Sequence, residues 1–343
     1  MFRQIVWAVD FGEENVTALA AETRSGGEFR LLGHSQTPAQ GSKGGEIVNT
    51  GDVTECLVKA LRDVENSCGL KCEGVFFNFD DRALESCFPA GSKTLSGEGQ
   101  IRPEDVEEAV AASLRLVSHF EKSIVYSHKI GFLIDGKDMV MDPLGVFGRQ
   151  LDVRSHVLLA RTQRIEKWKK VMERAGLKYN FPVLSILSSA HGVLGREERL
   201  EKRIVCDLGI DILNAVLFEH ESLREYAGQM TGAMSSKEVA GWVCQAYKNF
   251  LGNEPGVCEL ILTGDLAEKE ALTQHIQNTL SVSCRVASPT GLPPFDRPKD
   301  ASAVGLLRVA SESHGRKDHF ARAQQNLISG LRQKATALAQ EYF

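Results

Sequence analysis

Asp10 and Gly12 stand at the end of a short apolar run, Ile5-Val6-Trp7-Ala8-Val9, and Asp207 and Gly209 end a second run, Ile204-Val205-Cys206. Each run closes on Asp-apolar-Gly and is followed by another apolar stretch, Val16 to Ala21 in the first case and Ile212 to Phe218 in the second. That pattern predicts a β-hairpin whose turn carries a carboxylate and a glycine. Glycine lets backbone approach a bound group closely, and consecutive turn amides make a cradle for phosphate. A third turn, Thr263-Gly264-Asp265, ends the apolar run Glu259-Leu260-Ile261-Leu262 and precedes a helix expected from Leu266 to about Leu280. One such turn is common in any hairpin; two copies heading two halves imply a cleft between them. Asp10, Gly12, Asp207, Gly209 and Gly264 are therefore the candidate phosphate-facing residues.

Other chemistry has little support. The nine histidines are dispersed, and no Ser/His/Asp or Cys/His arrangement is legible; His128, His156 and His191 fit packing or capping roles. The eight cysteines include no C-x-x-C, and Cys68 and Cys72 lack a histidine at metal spacing. Buried thiols in a reducing compartment explain them better than a zinc site or a disulfide framework, so no metal is expected.

The elements that must position the turns follow from the rest of the chain. At 343 residues there is room for two compact cores, and 43% hydrophobic with 25% charged residues is ordinary for a globular protein. A formal net charge of -5 gives no reason to expect nucleic acid. Helices are predicted from about Val53 to Asn66 and from Pro103, with Glu104 and Asp105 in the first turn of the latter. The order of strands and helices, repeated in the second half, predicts an α/β architecture. No apolar run is long enough to span a bilayer and the start has no signal-peptide pattern, so a cytoplasmic location is expected.

The middle of the chain carries a resemblance. His128-Lys129-Ile130-Gly131-Phe132-Leu133-Ile134-Asp135-Gly136 is followed by Asp142-Pro143-Leu144-Gly145-Val146-Phe147-Gly148-Arg149-Gln150-Leu151-Asp152-Val153 and then His156-Val157. Pro143 fixes a bend, and Leu151, Val153, Ser155 and Val157 alternate onto one face of a strand. This stretch resembles the small inserted subdomain of the FtsA family, as does Ile101-Arg102-Pro103-Glu104-Asp105-Val106 before it. Ser188-Ser189-Ala190-His191-Gly192-Val193-Leu194 and residues 300–307 resemble the family's two linking helices. The likeness runs from residue 5 to about 310 and is densest between 100 and 160. It implies an actin-like (ASKHA) fold, with duplicated ribonuclease-H-like domains and an inserted SHS2-type subdomain. The divisions it suggests are 1–80 for the first half of domain 1, 81–160 for the insertion, 161–200 for the rest of domain 1 with a linking helix, 201–312 for domain 2, and 313–343 for a terminal helix.

The sequence departs from that family at each phosphate-facing turn. Glu13 takes the place of the hydroxyl residue that follows the first glycine and Glu14 comes next, and two carboxylates there repel a triphosphate unless a metal bridges them. The second turn holds Ile210 and Asp211 where the family has glycines, and Asp265 follows Gly264. Only 55 positions separate Asp207 from Leu262 (262 − 207), room for a hairpin and one helix. The fourth subdomain is therefore expected to be reduced or absent. ATP with magnesium is the cofactor the resemblance implies; these departures lead us to expect weakened or lost binding and no ATP hydrolysis.

Residues 316–343 predict one helix with an apolar stripe. The stripe runs through Phe320, Leu327, Ile328, Leu331 and Leu338, and the segment ends in Phe343. Arg316, Lys317, Arg322, Arg332 and Lys334 against Asp318 and Glu341 give it +3 (5 − 2), a composition suited to an anionic membrane surface. The resemblance then implies a non-enzymatic, self-associating scaffold in bacterial cell division, peripheral on the inner face of the cytoplasmic membrane, with division proteins such as FtsZ as partners. The alternative is a cytoplasmic platform of a type IV pilus or type II secretion system.

Overall fold

A computed structural model describes residues 4–23, 28–81, 83–117, 121–137, 139–178, 182–252 and 258–315. It divides into two compact units, one built from Met1–Ala83 with Gln163–Gly315 and the other from Leu84–Thr162.

The first unit opens with β1 (Gln4–Phe11), β2 (Asn15–Thr23) and β3 (Phe29–Pro38), an antiparallel meander. Val6, Ala8 and Val9 of β1 and the Val16–Ala21 run of β2 are almost wholly buried, so this sheet is covered on both faces. A small hairpin of β4 (Ser42–Lys43) and β5 (Glu46–Ile47) leads into α1 (Thr50–Cys68). Asn49 caps α1 by accepting from the Gly51 amide at 2.8 Å, and Gly69 ends it in the left-handed region at φ 71°. Val53, Leu57, Ala60, Leu61 and Val64 recur at helical spacing and are buried. β6 (Phe76–Phe79) then lies parallel to β1.

The second unit holds β7 (Glu85–Cys87), β8 (Ala90–Gln100), α2 (Pro103–Leu116), β9 (Lys122–Ile134), β10 (Met139–Val140) and β11 (Phe147–Arg161). β9 and β11 form the antiparallel spine, with β10 beyond β9 and both β7 and β8 paired to β11. Leu151, Val153, Ser155 and Val157 of β11 all face inward, as their alternation predicts. They meet Val106, Ala109, Val110 and Leu114 of α2 in a core of their own. Asp105 starts α2 by accepting from the Arg102 amide at 2.9 Å. Gly91 sits under α2, where a Cβ would strike the Ala109 carbonyl and the Ser113 amide.

Back in the first unit, α3 (Thr162–Arg174) brings Trp168 onto Phe11 and Phe77, β12 (Val183–Leu184) pairs with β6, and α4 (Ser185–Val193) follows directly. The first sheet therefore has the order β12-β6-β1-β2-β3. β13 (Arg203–Leu208), β14 (Ile212–Glu219) and β15 (Ser222–Met230) repeat the antiparallel meander. After α5 (Ser236–Leu251), β16 (Glu259–Thr263) lies parallel to β13, and α6 (Glu270–Leu280) leads to β17 (Cys284–Val286). The second sheet, β17-β16-β13-β14-β15, has the topology of the first. The helix predicted from Leu266 begins instead at Glu270. Gly264 turns at φ 88°, and the Leu266 amide is held by the Leu208 carbonyl at 2.9 Å, so the intervening residues form turns.

A 3₁₀ turn at Pro298–Asp300 enters α7 (Ala301–Gly315), which packs on β1 and crosses α4. Gly192 and Gly305 make that crossing: a Cβ on Gly305 would overlap the Ser188 carbonyl and one on Gly192 the Ala301 carbonyl. Between β15 and β16 the described residues contain a single helix, α5, where the resemblance implies a further subdomain. No described helix is long and apolar enough to cross a membrane. The predicted terminal helix at 316–343 lies outside the described residues.

Candidate functional site

The two predicted hairpins close by the same bond. The Gly12 amide donates to the Asn15 carbonyl at 3.0 Å, and the Gly209 amide to the Ile212 carbonyl at 3.0 Å. A Cβ would lie 2.9 Å from Asn15 O at Gly12 and 2.8 Å from Ile212 O at Gly209, so both turns require glycine.

Each Asp is half-buried near the end of its strand and held by the neighbouring parallel strand or a linking helix. Asp10 accepts from Asn78 Nδ2 of β6; the same nitrogen reaches Ser302 Oγ of α7 at 3.1 Å, and Asn78 Oδ1 accepts from the Phe11 amide at 2.7 Å. Asp207 accepts from the Ser189 hydroxyl of α4, and Gly264 must lack a side chain because a Cβ would strike the Asp207 carboxylate. Asp80, just past β6, accepts from Ser185 Oγ at 2.8 Å and from Asn214 Nδ2 at 2.8 Å. Asn214 in turn accepts from the Tyr226 hydroxyl at 2.9 Å.

This burial controls the charge. Desolvation raises the Asp10 pKa to about 7, opposed by its bond to Ser302 and reinforced by Asp207, Asp80 and Asp265. Desolvation likewise raises Asp207 to about 7, with Ser189 pulling the other way. Asp80 is raised by burial against the bonds from Ser185 and Asn214. The cleft thus gathers carboxyl groups that hold protons at the neutral end of the pH scale.

Glu13 behaves differently from the expectation that it borders an open phosphate site. Its carboxylate reaches across to the second hairpin and accepts from the backbone amides of Asp211 and Ile212, the latter at 3.0 Å. Asp211 returns a contact to the first half by accepting from the Gly44 amide at the tip of the β4–β5 hairpin, 3.3 Å away. Gly44 and Gly45 have φ of 53° and 71°, and Cβ atoms there would press on Met230 and on Ile212 and Asp80. Burial raises the Glu13 pKa to about 8 against the pull of the Asp211 amide. The residues present do not fit a triphosphate at the second turn, because the amides that would receive it already donate to Glu13.

In the first unit the structure brings Asp10, Gly12, Asp207, Gly209 and Gly264 close together where the two hairpin turns meet. Phe320, Leu327, Ile328, Leu331, Arg332, Lys334, Leu338 and Phe343 lie outside the described residues. Sequence reasoning missed Asn78, Asp80, Ser189, Ser302 and the Gly44 tip. The polar break in Phe76-Phe77-Asn78-Phe79-Asp80 was the available signal, since an Asn within a buried aromatic strand needs partners.

Comparison with known proteins agrees with this geometry. Residues 84–159 match the family model described as the SHS2 domain inserted in FTSA. The cell division protein FtsA of Pseudomonas aeruginosa is 22% identical over 224 residues, 65% of this chain and 54% of that protein. The chain thus spans about half the length of the curated relatives it matches. Among solved structures, the PilM-PilN type IV pilus biogenesis complex aligns at 13% identity with a TM-score of 0.62, covering 88% of this chain and 97% of that chain. The ethanolamine utilization protein EutJ from Carboxydothermus hydrogenoformans aligns at 11% identity and a TM-score of 0.51, covering 90% of each. Duplicated sheets, crossed linking helices and the inserted SHS2 domain together make this chain an actin-like protein related to the FtsA family.

Proposed function

We propose that the chain is an actin-like scaffold of bacterial cell division in which nucleotide binding is weakened or lost and ATP is not hydrolysed. The observation that carries this reading is the SHS2 match on 84–159, an insertion characteristic of FtsA, set in a chain whose phosphate-facing turns hold Glu13, Asp211 and Asp265. A scaffold needs surfaces more than it needs hydrolysis. The inserted unit, taken as 81–160, is the proposed self-association surface. That role is supported by the exposed Met139, Met141, Leu144, Val146 and Phe147 around its β10–β11 loop. The segment 313–343 is proposed to lie as a basic amphipathic helix on the anionic inner face of the cytoplasmic membrane, placing the protein near division partners such as FtsZ. A fluorescent fusion in dividing cells tests the reading: a ring at the constriction supports it, and a diffuse signal that ignores the constriction rejects it.

A second reading, a platform protein of a type IV pilus or type II secretion apparatus, is favoured by one observation. The fold of this chain covers 97% of a chain of the PilM-PilN complex, whereas its sequence match to FtsA of Pseudomonas aeruginosa spans 54% of that protein. Foci of the same fusion that coincide with a pilus or secretion apparatus would favour it.

A further inference from the structure

Glu13 reaches from the first half of the unit to the second. It occupies the position after Gly12 in the first hairpin turn, yet its two carboxylate oxygens accept from two consecutive amides of the other hairpin, Asp211 and Ile212. Consecutive backbone N–H groups pointing at one place form a concave anion cradle, and a side chain whose two oxygens take both of them leaves no donor free. The fit is tight enough to constrain the receiving turn: a Cβ on Gly209 would lie 3.2 Å from Glu13 Oε1. Asp211 is meanwhile held from the other side by the Gly44 amide, so first-half elements grip the second turn at two points.

We infer that the Glu13 carboxyl group fills the amide cradle of the second hairpin, latching the two halves of the unit together and keeping phosphate groups out. The inference deepens the reading of weakened nucleotide binding and rests on it for its biological sense, though the latch is a separate physical claim. A phosphate placed on the same amides would meet the Glu13 carboxyl oxygens at contact distance, because both amides already donate to them. The latch therefore holds the cleft without nucleotide, and its removal uncovers an anion site.

Two measurements on the full chain test this. Hydrogen exchange should find the Asp211 and Ile212 amides protected in the unmodified protein, and about tenfold faster in Glu13→Gln and Glu13→Ala. Titration with inorganic tripolyphosphate and magnesium should leave the unmodified protein unchanged and give saturable binding to Glu13→Ala. Unprotected Asp211 and Ile212 amides in the unmodified chain would overturn the inference. A folded Glu13→Ala protein that binds tripolyphosphate no better than the unmodified chain would overturn it too. If Glu13→Ala does not fold, exchange in the unmodified chain and in Glu13→Gln decides the question. The scaffold reading fails separately: Mg-ATP binding that leaves both amides protected would reject weakened nucleotide binding and spare the latch, whereas absent ATP binding with unprotected amides would do the reverse.

Discussion

At the scale of single residues, the cleft is defined by carboxyl groups that resist ionisation. Asp10 and Asp207 shift from 3.8 to about 7, and Glu13 from 4.5 to about 8, each mainly through burial. Across the interval between those values the folded chain retains protons that the unfolded chain has released. Stability therefore falls as pH rises through that window and is greatest at its acid end. Thermal denaturation from pH 5 to 8 should show this slope, and Asp207→Asn should flatten it because the amide carries no proton to lose. An unchanged slope in the variant would show that Asp207 ionises freely. Asn78 offers a second check. It bonds the Phe11 amide, Asp10 and Ser302 at once, so Asn78→Ala strands buried polar groups and should cost about 1–3 kcal/mol in denaturant unfolding.

Among the elements, the linking helices α4 and α7 are the least tolerant part of the unit. Gly305 and Gly192 let backbone meet backbone at the crossing, where no flexible side chain can yield. Gly305→Ala should destabilise the chain by about 3 kcal/mol or more, measured by urea unfolding, whereas Gly69→Ala, with open space around its Cβ and φ 71°, should cost only about 1 kcal/mol. Much of this layer was legible in the sequence. The apolar runs ending in Asp-apolar-Gly specified both hairpins, and the alternation of Leu151, Val153, Ser155 and Val157 specified the buried face of β11. The resemblance of residues 300–307 to a linking helix marked α7. The start of α6 was not legible, because what stops a helix at Leu266 is a bond from its amide to Leu208, far away in sequence. The latch was illegible for the same reason. Glu13 was visible as a misplaced charge, but its partners are backbone amides of residues 211 and 212, and no pattern of side chains announces them. Asn78, Ser189 and Ser302 converge only once the two sheets face each other.

For the whole molecule, two sheets of the same strand order belong to one unit, while a separate unit carries the SHS2 domain. If the segment beyond residue 314 tethers the protein, the full chain should sediment with anionic liposomes and residues 1–314 should not; equal sedimentation would remove the membrane role. The central claim is that this actin-like protein works without a nucleotide in its cleft. A thermal-shift titration of the full chain with Mg-ATP, run beside Asp10→Asn, tests it most directly. The account predicts no saturable shift in either protein. A saturable rise of more than about 3 °C in the unmodified chain, abolished by Asp10→Asn, would contradict it.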